Sequence, residues 1–324
     1  MSFKIIGTGS STPSLIKTND DLSQLVDTSD EWIRSKTGIE SRPLLSTESL
    51  SDIATASAQA ALKDSGLDAC DLDLIICATL QGDYISPSLA CVVQSNIKAS
   101  CPAFDINAAC SGFLYALDTA AGFIQRGRAK NVLIVCADSM SRHIDWSDRN
   151  TCVLFGDGAG AVVLTSGEDL LSIKLTASGN TDVLVIPSGK SSPFEDKSVV
   201  DMSYLKMKGQ AVFQFAVTAM KNDIQDVVKA SGKTLDDIKY ILPHQANLRI
   251  INTATAMLGV NSAKILTNIQ KKGNISAAGV AILLDETNKA GLLNNGDLIV
   301  LSAFGGGLTT GACVIRWNKP ISNT

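Results

Sequence analysis

The amino-acid sequence predicts an α/β fold made of two similar halves. Helix-like and strand-like hydrophobic patterns alternate along the chain, as expected of sheets covered by helices. Two segments, residues 111–124 and 277–284, are apolar around nearly the whole helical circumference and rich in Ala and Gly, as expected of central helices. In addition, three patterns in the first half of the chain recur in the same order in the second half.

The predicted elements of the first half alternate in type. Helices are predicted at residues 51–65, 88–97 and 111–125. Strands are predicted at residues 72–79, 102–106 and 131–137. Gly66 and Gly127 follow the first and the last of these helices, in the position where glycine commonly ends a helix.

The internal repeat consists of three matches. The sequence KDSG at 63–66, with the hydrophobic strand after it, recurs as KASG at 229–232 with a second hydrophobic strand at the same spacing. At the same offset, Cys110 aligns with Ser276, and each precedes one of the two apolar helices. The third match pairs FGDGAGAVVL (155–164) with AFGGGLTTGACVI (303–315). The repeat predicts a boundary near 167–171, with an N-terminal half at 1–168 and a C-terminal half at 169–324.

Composition and charge disfavour several classes of protein. The 324-residue chain has a net charge of −4 and no basic run longer than Lys271-Lys272, so we expect no nucleic-acid partner. It shows no signal-peptide pattern and no apolar run long enough to cross a bilayer, which predicts a cytoplasmic protein without a membrane partner. Its eight cysteines form no Cys-x-x-Cys pair and its two histidines are isolated, so we expect reduced thiols and no metal.

Cys110, in DINAACSGF, is a candidate nucleophile. It lies at the start of the first apolar helix, where unpaired backbone N–H groups and the positive end of the helix dipole favour thiolate over thiol. Ser111 and Gly112 are small and would let a substrate approach the backbone. A buried structural cysteine is the alternative interpretation, and the residues alone leave both open.

Three further segments could complete a site. His244 follows the apolar strand at 240–242, where α/β proteins often hold catalytic groups, although a structural histidine fits equally well. Asn274 precedes the second apolar helix and would point into the same central space as Cys110, although a Gly-Asn pair is often only a turn. The run GGG at 305–307 is either a flexible turn or a backbone that offers N–H groups to a ligand. Gly7-Thr8-Gly9 is an incomplete dinucleotide fingerprint, so nicotinamide chemistry is not expected.

With these motifs, the chain resembles the β-ketoacyl-[acyl-carrier-protein] synthase III family of the thiolase-like superfamily. The resemblance extends nearly end to end. It includes TSDEWI…TGI (28–39), CPAFDINAACSGF (101–113), DR…FGDGAGA (148–161), PHQANLRI (243–250), GN-S (273–276) and AFGGG (303–307). It implies two thiolase-type halves in a five-layer αβαβα arrangement, usually in a homodimer.

The resemblance also implies a reaction. Cys110 would take an acyl group from acyl-CoA, with the backbone N–H groups of Cys110 and Gly306 holding the oxyanion. His244 and Asn274 would then donate hydrogen bonds to the thioester carbonyl of malonyl-acyl carrier protein while carbon dioxide leaves. The acyl group and the resulting carbanion would join to give a 3-oxoacyl product. The implied reaction requires neither a metal nor an organic cofactor. Acyl-CoA takes part as a substrate.

Substrate-binding residues follow from the same resemblance. For CoA, Trp32 and Arg149 would sandwich the adenine, with Thr28 as a further contact, and Gly209 and Asn247 would contact the pantetheine. The acyl pocket would contain Ile85, Phe155 and Phe304. The carrier protein would dock on Gln245, Ala246, Asn247, Leu248 and Arg249.

The chain departs from the family pattern at a few positions. Gln214, Ala256 and Met257 stand where well-known members have basic residues near the docking surface, which would weaken steering of an acidic carrier protein. Lys36 replaces an arginine often found near the nucleotide. Ile85 stands where some members have a phenylalanine, and this smaller side chain would admit a longer or branched primer.

Three alternatives remain open at this point. A specialised acyltransferase or a quinolone- or polyketide-type condensing enzyme would share the fold and retain Cys110 and His244. A cysteine hydrolase would use the same three residue types. A non-catalytic binding protein of this fold is disfavoured by the intact set Cys110, His244 and Asn274.

Overall fold

A computed structural model describes residues 2–187 and 204–319 of the chain. The strands are β1 Ser2–Ser11, β2 Leu15–Thr18, β3 Ser41–Leu44, β4 Leu74–Ala78, β5 Ala103–Ile106, β6 Asn131–Ser139, β7 Asp157–Gly167, β8 Leu170–Asn180, β9 Leu184–Val185, β10 Lys206–Met207, β11 Ile238–Pro243, β12 Leu298–Gly305 and β13 Gly307–Arg316. The α-helices are α1 Asn19–Ser23, α2 Asp30–Thr37, α3 Leu50–Ser65, α4 Leu89–Asn96, α5 Gly112–Gln125, α6 Gly209–Ala230, α7 Leu248–Leu258, α8 Ile269–Lys272 and α9 Ala278–Lys289.

Two mixed sheets form the framework. The first has the order β1-β7-β6-β4-β5, and the second has the order β11-β12-β13-β8. In the first sheet β4 is parallel to β5 and β6, whereas β7 is antiparallel to both β6 and β1. In the second sheet β12 is parallel to β11, and β13 is antiparallel to both β12 and β8. The pairing pattern of the first sheet is therefore repeated in the second.

Five layers follow from the way the apolar side chains are divided. Helices α3 and α4 pack on the outer face of the first sheet, and α6 and α7 pack on the outer face of the second. Helices α5 and α9 lie between the two sheets in the central apolar cluster. Because side chains alternate along a strand, β6 sends Val132, Ile134 and Cys136 to the central layer and Leu133 and Val135 to the outer one. This is the αβαβα arrangement that the family resemblance implies.

The ends of the outer helices follow from local sequence. Ser49 and Asp52 form a reciprocal capping box at the start of α3, and Gly66 ends this helix in the left-handed region with a φ of 71°. Ser88 caps α4 by accepting a hydrogen bond from the N–H of Cys91. By contrast, α5 and α9 have no side-chain cap at their N-termini. The two central helices therefore present uncapped N-terminal ends to the space between the sheets.

The predicted boundary between the halves falls between the two sheets. Strand β7 ends at Gly167 and β8 begins at Leu170. The second sheet has no full equivalent of β5 among the described residues, but a parallel bridge joins Ile241 to Ile265 at the corresponding edge. The division into domains at 168 and 169 stays a prediction, although the repeated strand pairing agrees with a duplicated unit.

The structure also bears on membrane spans, metal sites and disulfides. Within residues 2–187 and 204–319, no helix has the length and apolar character needed to span a membrane. The same residues contain no cluster of three or more His, Cys, Asp or Glu side chains arranged to hold a metal. All eight cysteines are unpaired, and five of them are buried.

Candidate active site

A cavity of about 990 Å³ lies at one end of the central layer. Cys110, His244, Asn274 and Gly306 all line it, although they come from segments far apart in the sequence. Cys110 precedes α5, His244 follows β11, Asn274 precedes α9, and Gly306 lies between β12 and β13. The structure therefore brings together the residues that the sequence singled out for chemistry.

The backbone around Cys110 is tightly packed. Cys110 lies in a short 3-10 helix, Ala109–Ser111, directly before α5, and Ala109 has a φ of 47°. The end of β12 approaches so closely that a Cβ at Gly305 would lie 2.6 Å from the Cys110 backbone nitrogen. Only glycine fits at that position, and it holds the backbone of Gly306 beside that of Cys110. This arrangement suits a pair of N–H groups directed at one oxyanion.

Burial acts on the pKa of the Cys110 thiol in the direction opposite to the one predicted from the helix terminus. Burial raises its pKa to about 12, the nearby Ser276 hydroxyl opposes this shift, and the negative charge of Asp138 adds to it. The predicted stabilisation of thiolate by the helix terminus stays a prediction, because burial and the helix dipole act on the thiol in opposite directions.

His244 is held as a neutral imidazole. Its side chain is buried, and its ring packs edge-on against Phe304 with 5.3 Å between ring centroids. Burial lowers its pKa to about 3. Within the described residues Nδ1 has no hydrogen-bond partner, and it lies 3.9 Å from the place of a Cβ at Gly279, in the first turn of α9. The positive end of that helix favours a lone pair on Nδ1, which places the proton on Nε2.

Asn274 is fixed by both its backbone and its side chain. Its N–H donates to Leu154 O at 2.9 Å, and its carbonyl accepts from the Gly156 N–H at 3.0 Å. Its side-chain Oδ1 accepts from the Ser276 N–H at 2.9 Å. The amide therefore turns its Nδ2 donor away from Ser276, on the side of the cavity that Asn274 lines. Asn274 is a ready hydrogen-bond donor, as is His244 Nε2.

The residues assigned to CoA are only partly brought together. Trp32, Gly209, Asn247 and Lys36 line the cavity. Arg149 does not line it, and its guanidinium carbon lies 5.2 Å from the centroid of the Trp32 ring. The two side chains are therefore too close together to hold an adenine between them, since a ring stacked on both requires a separation of about 7 Å between the guanidinium and the indole ring. Separation of these two side chains must accompany the binding of adenine between them.

Thr28 lies near this region without lining the cavity. Its hydroxyl is buried and has no hydrogen-bond partner in residues 2–187 and 204–319. A buried hydroxyl without a partner is costly, and a polar ligand atom would relieve that cost. Its assignment as an adenine contact stays a prediction.

The predicted docking segment divides into a buried and an accessible part. Gln245 is fully buried; its Nε2 donates to Pro243 O, and its Oε1 accepts from the N–H groups of Asn268 and Ile269. Gln245 is therefore a structural residue, and its assignment to the docking surface is wrong because no partner can reach it. Arg249 is exposed at the cavity rim, and its guanidinium lies over Phe213. Ala246 and Asn247 line the cavity, and Leu248 is partly buried.

The acyl-pocket residues also divide. Phe155 and Phe304 line the cavity and are almost fully buried. Ile85 does not line it, since its side chain is 96% exposed in the loop after β4. The assignment of Ile85 to the acyl pocket is therefore wrong within this chain, because its side chain lies outside the cavity.

Two polar residues of the site were not assigned a role from the sequence. Ser276 lines the cavity beside Cys110, and Asp138 lies buried at the end of β6. The internal repeat aligned Ser276 with Cys110, and the motif GN-S (273–276) includes it, but neither signal assigned it a role. Nothing in the local pattern of Asp138, in the run CADSMS, distinguishes it from an ordinary strand-end aspartate.

Comparisons with known proteins agree with this geometry. A family model described as 3-oxoacyl-[acyl-carrier-protein] synthase III matches residues 104–179, and the model of the C-terminal part of the same family matches residues 228–317. A curated β-ketoacyl-[acyl-carrier-protein] synthase III from Clostridium acetobutylicum is 46% identical, over 98% of this chain and 99% of that protein. The protein of the same name from Aquifex aeolicus is 45% identical, over 98% of this chain and all of that protein.

Solved structures show the same likeness. The crystal structure of 3-oxoacyl-[acyl-carrier-protein] synthase III from Aquifex aeolicus has a TM-score of 0.91 and 45% identity, covering 97% of this chain and all of that chain. The priming β-ketosynthase from the R1128 polyketide biosynthetic pathway has a TM-score of 0.92 and 30% identity, covering 99% of this chain and 97% of that one.

Fold and site together define an acyl-transferring condensing enzyme with a thiolase-like fold. Within this class, the chain belongs to the β-ketoacyl-[acyl-carrier-protein] synthase III family. The resemblance stated from the sequence motifs is therefore confirmed.

Proposed function

We propose that this protein condenses an acyl group from acyl-CoA, carried on Cys110, with malonyl-acyl carrier protein to give a 3-oxoacyl-acyl carrier protein. Such a reaction initiates fatty acid or related polyketide synthesis. The observation that carries the proposal is the meeting of one thiol and two neutral hydrogen-bond donors, on Cys110, His244 and Asn274, in a single cavity. This is the set of groups that acyl transfer followed by decarboxylative condensation requires.

In the first half-reaction, the sulfur of Cys110 attacks the thioester carbonyl of acyl-CoA. The carbon–sulfur bond to CoA breaks, and a new thioester forms on Cys110. The backbone N–H groups of Cys110 and Gly306 would hold the oxyanion, and the close approach of Gly305 to the Cys110 backbone supports this assignment. Loss of one such donor typically costs about 3 kcal/mol of transition-state stabilisation.

In the second half-reaction, His244 and Asn274 act as donors. The malonyl carbon–carbon bond breaks, carbon dioxide leaves, and negative charge develops on the thioester oxygen. Nε2–H of His244 and Nδ2–H of Asn274 stabilise that oxygen. The resulting carbanion attacks the acyl carbonyl on Cys110, and the sulfur leaves. A neutral imidazole suits this role, since no base is needed.

The protonation state of His244 argues against a cysteine hydrolase. In that class, a histidine must take the proton of the thiol. Burial lowers the pKa of His244 to about 3, so it is a poor acceptor at neutral pH. Its Nδ1 faces the N-terminal turn of α9, where the helix terminus further opposes a positive charge.

A specialised condensing enzyme of the same fold is the second candidate. Gln214, Ala256 and Met257 are all exposed on α6 and α7, so the altered docking face belongs to the accessible surface. The likeness to the R1128 priming β-ketosynthase also favours such a relative. The two candidates differ in their primer and carrier protein, whereas the chemistry at Cys110 is the same.

Substrate entry is proposed along the cavity. Trp32, Gly209 and Asn247 line its wall, and Arg249 lies exposed at its rim. We propose that CoA and the carrier-protein arm enter past these residues, with Arg249 facing an acidic carrier protein. No cofactor and no metal take part in the proposed reaction, and the cytoplasmic location stays a prediction.

A homodimer is also proposed. Tyr84 and Ile85 are 57% and 96% exposed on one loop, which is unusual for large apolar side chains. A second copy of the chain that covers this loop would remove both from water. Sedimentation analysis of the purified protein would show a monomer if this part of the proposal is wrong.

Incubation with acyl-CoA alone tests the proposed chemistry. A condensing enzyme should accumulate about one stable acyl group per chain, detectable as a mass increase of the intact protein, because water is not the intended second substrate. Cys110→Ser should show no such increase. Rapid hydrolysis of acyl-CoA without accumulation would favour the hydrolase, and a label that persists in Cys110→Ser would refute the nucleophile. A panel of acyl-CoA primers would separate the two condensing candidates.

A further inference from the structure

The hydroxyl of Thr309 joins the two backbone segments that carry the proposed oxyanion donors. Thr309 lies on β13, where it pairs with Gly305 of β12, and it lines the cavity. Its Oγ1 donates to Ala108 O at 2.9 Å, two residues before Cys110, and to Gly306 O at 3.1 Å. Because a hydroxyl carries one proton, the two carbonyl oxygens share a single donor. One side chain therefore contacts both sides of the proposed oxyanion site.

A second hydrogen bond joins the same two segments in the reverse direction. The hydroxyl of Ser111, the residue after Cys110, donates to Thr309 O at 3.1 Å. Ser111 is fully buried, and its backbone N–H donates to Ala108 O at 3.1 Å. Side-chain hydrogen bonds therefore run both from Thr309 to the turn that holds Cys110 and from this turn back to Thr309.

The backbone of both segments adopts unusual conformations beside these hydrogen bonds. Ala109 has a φ of 47°, and Gly307 has a φ of 130°. The left-handed region is unfavourable for a residue with a Cβ, and such a conformation persists only where surrounding contacts hold it. The Thr309 hydroxyl contacts Ala108 and Gly306, which are the direct neighbours of these two residues. It is therefore placed to hold both conformations.

The direction of the two N–H groups depends on more than close packing. A Cβ at Gly305 would lie 2.6 Å from the Cys110 backbone nitrogen, and one at Gly306 would lie 3.7 Å from the Cβ of Ala109. Such contacts set the distance between the segments. They restrain the direction of a peptide group less than a hydrogen bond does, because a hydrogen bond weakens as its angle departs from linearity. The Thr309 hydroxyl therefore restrains the peptide groups next to the two donors, which an oxyanion needs at about 3 Å.

We propose that Thr309 is a positioning residue whose hydroxyl directs the N–H groups of Cys110 and Gly306 at the oxyanion. This inference rests on the proposed function, in which these two N–H groups act on the acyl carbonyl. Thr309 transfers no proton and forms no bond to the substrate. Its effect falls on the acylation of Cys110 and on the attack of the carbanion, since an oxyanion forms at the acyl group in both. Loss of carbon dioxide uses His244 and Asn274 instead.

Thr309→Val tests the proposal, because valine has nearly the shape of threonine and lacks the hydroxyl. Acylation of Cys110 at saturating acyl-CoA should be about 10-fold slower, since the N–H groups remain but point less well at the oxyanion. The acyl-CoA concentration that gives half the maximal rate should change by less than about twofold, because ground-state binding does not use these N–H groups. Carbon dioxide release from malonyl-carrier protein without primer should stay within about twofold of wild type. Intact-mass measurement after rapid quenching follows acylation.

Two further variants serve as controls. Thr309→Ser keeps the hydroxyl, so it should acylate within about twofold of the wild-type rate. Thr310→Val makes the same change at the next residue, whose hydroxyl lies 2.6 Å from Thr176 Oγ1 and does not line the cavity. This variant should acylate at nearly the wild-type rate. Thermal unfolding of each variant checks the fold, and Thr309→Ala provides the same test if Thr309→Val does not fold.

The outcomes are distinct. A wild-type acylation rate in Thr309→Val would overturn the positioning role while leaving Cys110 as nucleophile. An equal loss in Thr309→Ser would show that the hydroxyl is not the group that matters, and would also overturn it. Equal slowing of acylation and of carbon dioxide release would indicate a general disturbance of the site, which contradicts the proposal. Absence of acylation at Cys110 in the wild type would instead refute the proposed function.

Discussion

At the scale of single residues, burial favours the neutral forms of both Cys110 and His244. At the end of the central layer, burial raises the pKa of Cys110 to about 12 and lowers the pKa of His244 to about 3. A neutral histidine is a donor that does not compete for the thiol proton, and a neutral thiol is protected from adventitious oxidation or alkylation.

His244→Ala should separate the two half-reactions. The variant should still form the acyl-enzyme on Cys110, since no step of acylation uses the imidazole. Carbon dioxide release from malonyl-carrier protein should fall by about 100-fold or more, because the developing enolate loses a donor in a desolvated site. Intact-mass measurement reports the first step and carbon dioxide release the second. Normal condensation by this variant would contradict the assignment.

The pH dependence of decarboxylation should lack a histidine titration. An ordinary histidine would become charged as the pH falls through 6.5, whereas the pKa of His244 is lowered to about 3. His244 therefore stays neutral across the working range, and its protonation is expected only at far lower pH. The rate of carbon dioxide release without primer should be free of a step near 6.5 when measured between about pH 5.5 and 8. A sigmoidal step centred near 6.5 would contradict the neutral-donor role.

At the scale of elements, small residues allow the central helices to reach the sheets. Gly160 on β7 faces α9 so closely that a Cβ there would lie 2.7 Å from the Ile282 backbone nitrogen. Such contacts fix the height of α9 above the sheet, and Asn274 and Ser276 lie at its start. The geometry of the site therefore depends on how closely β7 and α9 pack.

Gly160→Ala should destabilise the protein by about 1–3 kcal/mol, because backbone atoms of α9 cannot move aside like a flexible side chain. Gly122→Ala on α5 is the matched control. A Cβ there meets nothing within 4 Å, so the substitution should be neutral or stabilise by up to about 1 kcal/mol through helix propensity. Denaturant unfolding measures both. Equal stability of the two variants would show that the contact between β7 and α9 yields without cost.

At the scale of the whole molecule, the site exists only where the two halves meet. Cys110 belongs to the part of the chain that forms the first sheet, whereas His244 and Asn274 belong to the part that forms the second. The outer surface over α6 and α7 carries Arg249 at the cavity rim. Recognition of a large partner is therefore a property of this assembled surface.

Arg249→Glu should weaken the carrier-protein step. The KM for malonyl-carrier protein should rise several-fold at low ionic strength and less at high salt, since screening reduces the charge contribution. Acylation by acyl-CoA should change less. Lys130→Glu makes the same charge change at an exposed residue directly before β6 and serves as the control. If the two variants have equal effects on KM, the net charge of the protein matters and Arg249 has no special role.

A feature of the fold could be predicted from the sequence where neighbouring residues along the chain determine it. The helix at 51–65 was predicted within one residue of α3 because Ser49, Asp52 and Gly66 define its ends locally. Ile85 and Gln245 were assigned by resemblance, and the structure places one in solvent and the other in the interior. Exposure depends on what packs against a residue from distant segments, which a local motif does not specify.

By itself, the sequence determined an α/β fold of two similar halves and the identity of Cys110, His244 and Asn274 as candidates, because hydrophobic period and repeats are written along the chain. Its motifs carried the resemblance to the family, and that resemblance implied the αβαβα layers. Only the tertiary structure decided how burial shifts the pKa values of Cys110 and His244, that Arg149 lies against Trp32, and that Ser276 lines the cavity with Cys110. Protonation depends on the loss of water around a group and on charges from distant segments. Those neighbours are fixed only when α5 and α9 pack between the sheets.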